Sequence, residues 1–202
     1  MPEVTLDTSH VQLGIEDLQL SVPSFDVALK ALIAKFPVSQ PETVVMNIAR
    51  NSKITTVSNV VYALFDAGAK QIEVRTKARG SFPDKITLIA EKAAAKAPAC
   101  SIATVVRKNL SVSFWPIKGG TAKTYGKGMA GPDLTAMHEV MFKDATSCNS
   151  QFFFFSADDT IEWGHAFDLG TSTTGHDPAY KMSSFVLLRE IPVAGKQVKL
   201  QQ

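Results

Sequence analysis

Apolar positions recur with two different periods along this chain, and both are clearest in Thr43–Thr76. Thr43–Ala49 is a β-branched apolar run of strand length. Arg50–Lys53 is polar and reads as a turn. From Ile54 the period lengthens. Val57, Val60, Val61, Leu64 and Phe65 fall at i, i+3, i+4, i+7 and i+8, the apolar stripe of a helix. Gly68 falls where a left-handed C-terminal residue belongs, because it carries no Cβ. Gln71–Thr76 alternates, with Ile72 and Val74 against Glu73 and Arg75. Gln151–Gly170 has the same order of parts: a strand at Phe152–Phe155, a polar turn at Ser156–Thr160, a short helix at Ile161–Leu169 and a stop at Gly170.

The same reading extends to both sides. Val11–Ile15 and Leu18–Val22 are strands, and Pro23 ends the second. Ser24 is expected to cap a helix through its hydroxyl, with Phe25, Leu29, Leu32, Ile33 and Phe36 at helical spacing and Pro37 and Pro41 bracketing the exit. Lys77–Pro83 is a loop. Asp84–Ala97, rich in Ala and Lys, predicts a connecting helix ended by Pro98. Ser101–Val106 and Leu110–Trp115 are strands around a turn at Arg107–Asn109. Pro116–Asp133 is a long loop holding five glycines. Asp133 caps a helix in which Leu134, Met137 and Met141 share a face, and Ser183–Arg189 is the last strand.

The expected fold is therefore α+β, two related β-β-α-β-α-β halves joined by a helical linker. The first half spans 10–78, the linker helix 79–99, and the diverged second half 100–192 with a Gly/Lys-rich insertion at 116–133. Residue identity between the halves is low. Its best piece is Phe65-Asp66-Ala67-Gly68 against Phe167-Asp168-Leu169-Gly170.

Composition changes this picture little. The 202 residues carry 21 basic and 19 acidic side chains, too balanced to argue for nucleic acid. No apolar run is long enough to span a bilayer. The N-terminal MPEVTLDTSH has neither a basic start nor an apolar core, so it is not a signal peptide. Cys100 and Cys148 lack the close pairing of a zinc site. They are either two reduced thiols or one disulfide, and a disulfide would imply an oxidising compartment.

Candidate chemistry is sparse. The glycine loop fails the phosphate-loop pattern, because five residues separate Gly120 from Gly126 and Lys127 is followed by Gly128. Read as a contact loop, it offers Lys118, Lys123 and Lys127 as charge and Tyr125 as a stacking face. Asp158 and Asp159 before a helix are expected to act as N-terminal caps, and Trp163 either packs near Phe152–Phe155 or anchors a partner. The four histidines, His10, His138, His165 and His176, show no H-E-x-x-H spacing. A metal-dependent hydrolase built on Asp158, Asp159, His138 and His165 is the competing class, and a cytoplasmic regulatory domain is a third. No G-x-S-x-G elbow occurs. Gly170–Gly175 reads as a polar loop followed by His176. No cofactor and no catalytic residue is expected.

Val44–Thr76 resembles the ExbD/TolR family. The strand Val45-Met46-Asn47-Ile48-Ala49, the helix from Val57 to Ala67-Gly68 and the closing strand Ile72-Glu73-Val74-Arg75-Thr76 carry the resemblance. Phe153–Leu169, with Ser156-Ala157-Asp158-Asp159, looks like a diverged second copy, since the family commonly has Ala-Asp in that turn; the first copy departs there with Ala49-Arg50. The family's N-terminal membrane helix and its aspartate have no counterpart in this sequence. The resemblance implies a partner-binding, dimer-forming periplasmic module of an envelope transport or motor assembly. Its partners would be a protein and either peptidoglycan or another anionic polymer. A tandem would act as a monomeric pseudo-dimer in place of a homodimer.

Overall fold

A computed structural model describes residues 1–37, 43–129, 131–173 and 182–201, with His138, Phe142, Ala145 and Thr146 described by backbone alone. The elements in chain order are β1 (Val4–Leu6), β2 (His10–Leu13), β3 (Glu16–Gln19), α1 (Phe25–Ala34), β4 (Thr43–Ile48), α2 (Ile54–Asp66), β5 (Gln71–Arg75) and β6 (Lys85–Ile89). A 3-10 turn at Glu91–Ala94 leads to β7 (Ile102–Val106), β8 (Val112–Pro116), β9 (Lys123–Tyr125), α3 (Leu134–Ser147), β10 (Phe152–Ala157), α4 (Trp163–Ser172) and β11 (Ser184–Leu187). The fold is α+β.

All the described strands join one sheet, in the order β3-β2-β1-β4-β5-β6-β11-β10-β7-β8-β9. Read inward from either edge, the plan is the same. Three antiparallel strands are followed by two parallel ones: β3-β2-β1-β4-β5 from one side and β9-β8-β7-β10-β11 from the other. Strand β6 joins the two sets, antiparallel to β5 and parallel to β11. Each set is β-β-β-α-β-α-β, one strand longer than the sequence predicts. The extra strands are β1, before the expected start at residue 10, and β9, inside the expected glycine loop.

The expected linker helix is absent. Lys85–Ile89 alternates Ile86 and Leu88 inward against Lys85 and Thr87, so it completes the sheet as β6, and only the short 3-10 turn follows. A strand here pairs on both sides, with β5 and β11, whereas a helix would leave both edges open. Gly68 takes the expected positive φ, 107°, just past α2. Gly170 does not stop its helix. It lies inside α4, where a Cβ would stand 3.6 Å from the Phe185 ring. Ser24 sits at the start of α1 in a left-handed conformation, and its carbonyl, not its hydroxyl, receives the N–H groups of Val27 and Ala28.

The main core joins one face of the sheet to all four described helices. Inward residues of the strands, among them Leu6, Met46, Val74, Phe153 and Phe155, meet Leu29, Val61, Leu64, Met137, Met141 and Phe167 of the helices. Each such large side chain contributes about 1.5–3 kcal/mol on burial. The opposite face differs between the halves. In the second half it is apolar: Ala103, Val105, Trp115, Phe154, Val186 and Leu188, covered by Ala94 and by Val198 of the C-terminal segment. The four consecutive phenylalanines thus supply both cores, as alternation requires. Glu91, itself buried, holds this cover. Its carboxylate accepts the N–H groups of Arg189 (2.6 Å) and Gln201 (2.5 Å) and the Tyr62 hydroxyl (3.0 Å). In the first half the same face is polar, and Arg75 links Glu73 and Glu3 while Lys85 reaches Glu73.

A disulfide joins Cys100 to Cys148, 48 residues apart, and ties the start of β7 to the end of α3. The Pro41 exit, the second part of the expected polar loop after Thr173 and His176 lie outside the described residues. No helix among the described residues is long and apolar enough to cross a membrane.

Candidate functional site

The turns that leave β4 and β10 lie against each other. Lys53 and Glu162 are the last residues before α2 and α4, so they occupy equivalent positions. They form an antiparallel bridge across the seam. On one side of it the N–H of Ile54 donates to the carbonyl of Ile161 at 3.0 Å; on the other, the N–H of Trp163 donates to the carbonyl of Ser52 at 2.8 Å. Ile54 corresponds to Trp163 and Ser52 to Ile161, so the contact is reciprocal, as a two-fold contact between like subunits is. Two orphan N–H groups at the helix starts are satisfied in this way.

One ion pair locks the seam. Arg50, from the first turn, grips Asp168 of α4 with both terminal nitrogens, at 2.8 and 2.7 Å, and also donates to the carbonyls of Lys77 (2.9 Å) and Gly164 (3.3 Å). The Asp168 side chain is 3% exposed and that of Arg50 31%. The hydrogen bond to Asp168 is the main reason the guanidinium holds its proton even more firmly than usual. This arrangement overturns the Phe-Asp-x-Gly match. Asp66 lies at the exposed end of α2 and pairs with Arg189, whereas Asp168 lies mid-helix and buried, so the two tetrapeptides occupy different places.

Beside the seam lies a cleft of about 540 Å³, lined by Arg79, Ser81, Phe82, Met129, Asp133 and Thr135 among others. One wall is the loop between β5 and β6, from the first half. The other is the loop between β9 and α3, from the second. The second wall is shaped by backbone: Lys127 bridges to Pro132, and Gly128 N–H donates to the Gly131 carbonyl at 2.8 Å. Gly131 has φ +149° and is pressed on His165, so a Cβ there would stand 2.9 Å from the ring Nδ1. Asp133 caps α3 as predicted, accepting the Ala136 N–H at 3.0 Å. Met129 is fully exposed at the rim. A cation, an aromatic ring, a thioether and hydroxyls converge here, which is the chemistry of recognition.

The residues singled out from sequence do not form one site. Lys127 pairs with Pro132 in the loop that carries the cleft's second wall and does not itself line the cleft. Lys123 is held by Asp144 at 2.6 Å and lies over the Phe114 ring, on which Tyr125 stacks at 5.9 Å, so both serve the β9 edge. Lys118 lies apart, in a groove against the C-terminal segment. Asp158 is not a helix cap. Its carboxylate accepts the Lys108 N–H at 2.8 Å and faces Arg107 at 3.4 Å, while Asp159 is exposed. Trp163 is wholly buried against Phe155 and Phe167, and its Nε1 donates to the Thr76 hydroxyl at 2.8 Å; it anchors the core, not a partner. The His138 side chain lies outside the described residues. Among those described, no group of three His, Cys, Asp or Glu stands close enough to hold a metal ion. Arg79, Phe82 and Met129 carry no local sequence signal, because only the sheet brings their loops together. No protein-family model matches the chain, and no curated protein matches it closely enough to name a relative.

Proposed function

We propose that this chain is a non-catalytic partner-binding module of an envelope-associated assembly, built as a tandem, diverged pair of ExbD/TolR-like halves. The carrying observation is the reciprocal seam, in which equivalent residues of the two halves exchange backbone hydrogen bonds. A family whose soluble domains form dimers would, when fused in tandem, place such a contact inside one chain. The Cys100–Cys148 disulfide supports an oxidising setting such as the periplasm. The cleft beside the seam, walled by one loop from each half, is the partner-facing surface in this reading, with Arg79, Phe82 and Met129 as its contacts. The partner is a protein of the envelope complex, with peptidoglycan or another anionic polymer as a further ligand.

Photo-crosslinking in the producing cells tests this. A photoreactive residue at Met129 should yield a discrete adduct with an envelope protein, and one at exposed Lys70 should not. Equal labelling at both positions, or adducts with soluble cytoplasmic proteins alone, would overturn it.

A further inference from the structure

The halves part company at the carboxyl ends of their matched parallel strands. In the second half the residue after β10 is Asp158. Its N–H donates to the Val106 carbonyl at 2.9 Å, and its carboxylate lies against Lys108 N–H and Arg107. The matched residue after β4 is Ala49, whose N–H makes the same ladder bond, to Leu6 at 2.8 Å. A methyl group stands in place of the carboxylate, and Asp7 stands in place of Arg107. The Asp7 carboxylate is turned into its own loop, where the N–H groups of Ser9 (2.7 Å) and His10 (2.8 Å) hold it and lower its pKa. The ion pair of the second half is thus missing from the first.

The space left is an open crevice of about 380 Å³, with Asp7, Asn47, Ala49, Lys77 and Asp84 on its walls. It lies where the chain leaves β1 toward β2 and leaves β4 toward β5, on the opposite side. Such reversals at the carboxyl ends of parallel strands open the crevices in which α/β sheets hold ligands. Arg75, also on the wall, is already committed to Glu73 and Glu3. Lys77 and Asp84 are exposed and enter no ion pair with a described residue, which leaves one charge of each sign facing the crevice.

We propose that this crevice binds a small zwitterion of the α-amino-acid class, its carboxylate toward Lys77 and its ammonium toward Asp84. The ligand would bring from outside the paired charges that Asp158 and Arg107 supply within the second half. Exposed ion pairs contribute little, at most about 1 kcal/mol each, so the affinity is about tens of millimolar. This inference stands apart from the partner-binding cleft and survives if that reading fails.

The test is an amide-resolved NMR titration of the whole chain with glycine, alanine, acetate, ethylammonium and sulfate. Saturable shifts at Leu6, Ala49, Thr76 and Lys77 are expected with the two amino acids. Acetate or ethylammonium alone should bind about two- to fivefold more weakly, having lost one of two exposed pairs. Ala49→Asp, which returns the missing carboxylate, and Lys77→Gln, which touches no core, should each lose about two- to fivefold in affinity, Lys77→Gln at unchanged melting temperature. If Ala49→Asp does not fold, Lys77→Gln decides alone. The proposal is overturned if glycine produces no saturable shift, if sulfate matches glycine, or if Lys77→Gln binds glycine as the wild type does.

Discussion

Replacing Arg50 by Met should destabilise this protein more than any single change on its surface. Asp168 is 3% exposed, and Arg50 is its ion-pair partner at 2.7 Å. Removing the guanidinium leaves a buried carboxylate uncompensated, which costs about 3–5 kcal/mol. The reverse change, Asp168→Asn, is milder. Arg50 is 31% exposed and keeps the carbonyls of Lys77 and Gly164, so the loss is about 1.5–3 kcal/mol, that of one charge-assisted hydrogen-bonded pair. The double variant Arg50→Met with Asp168→Leu removes both charges, and its cost should fall back to within about 1–2 kcal/mol of the wild type. Urea unfolding followed by tryptophan fluorescence is the assay, since Trp163 is buried in the seam. A loss below about 1 kcal/mol for Arg50→Met would refute the reasoning, and so would a double variant equal to the sum of the single ones.

Three further outcomes follow from other parts of the structure. Reducing the Cys100–Cys148 bond frees a 48-residue loop and should lower unfolding free energy by up to about 4 kcal/mol in the chain-entropy model; urea midpoints measured with and without reductant would check it, and identical midpoints would contradict it. Gly131→Ala forces a Cβ to 2.9 Å from His165 at φ +149°, whereas Gly126→Ala meets nothing within 4 Å, so the first should lower the melting temperature and the second leave it nearly unchanged. The Glu73 carboxyl is held below its ordinary pKa, first by Arg75 and then by Lys85. It therefore binds fewer protons folded than unfolded near pH 4, and its contribution is present above the unfolded pKa and lost as pH falls through the folded one; Glu73→Gln should flatten the acid limb of a melting-temperature profile below about pH 4.5.

What the sequence made legible was local. The unit β4-α2-β5 carries three clean periods in a row, and its bounds come within a residue or two of the structure. β6 carried its signal too, Ile86 and Leu88 against Lys85 and Thr87, but the alanines and lysines after it outweighed four alternating positions. β1 is three residues long, too short for any period to declare itself, and it forms because β2 and β4 pair on both its sides. Gly170 misled because a small residue in a packed helix and a glycine after a helix look alike in sequence; contact with Phe185 separates them. The seam was not readable at all. Arg50 and Asp168 are 118 residues apart, and neither turn carries a motif that names the other. The same holds for the cleft, whose walls come from loops about fifty residues apart in sequence.

The measurement that bears most directly on the proposed reading of an exported, two-half binding module is the thiol state of the native protein. Cells are quenched in acid, free thiols are alkylated without reductant, and Cys100 and Cys148 are read by mass spectrometry. The account predicts one intact bond between them and no alkylated cysteine. Two alkylated thiols would contradict it and remove the argument for an oxidising compartment.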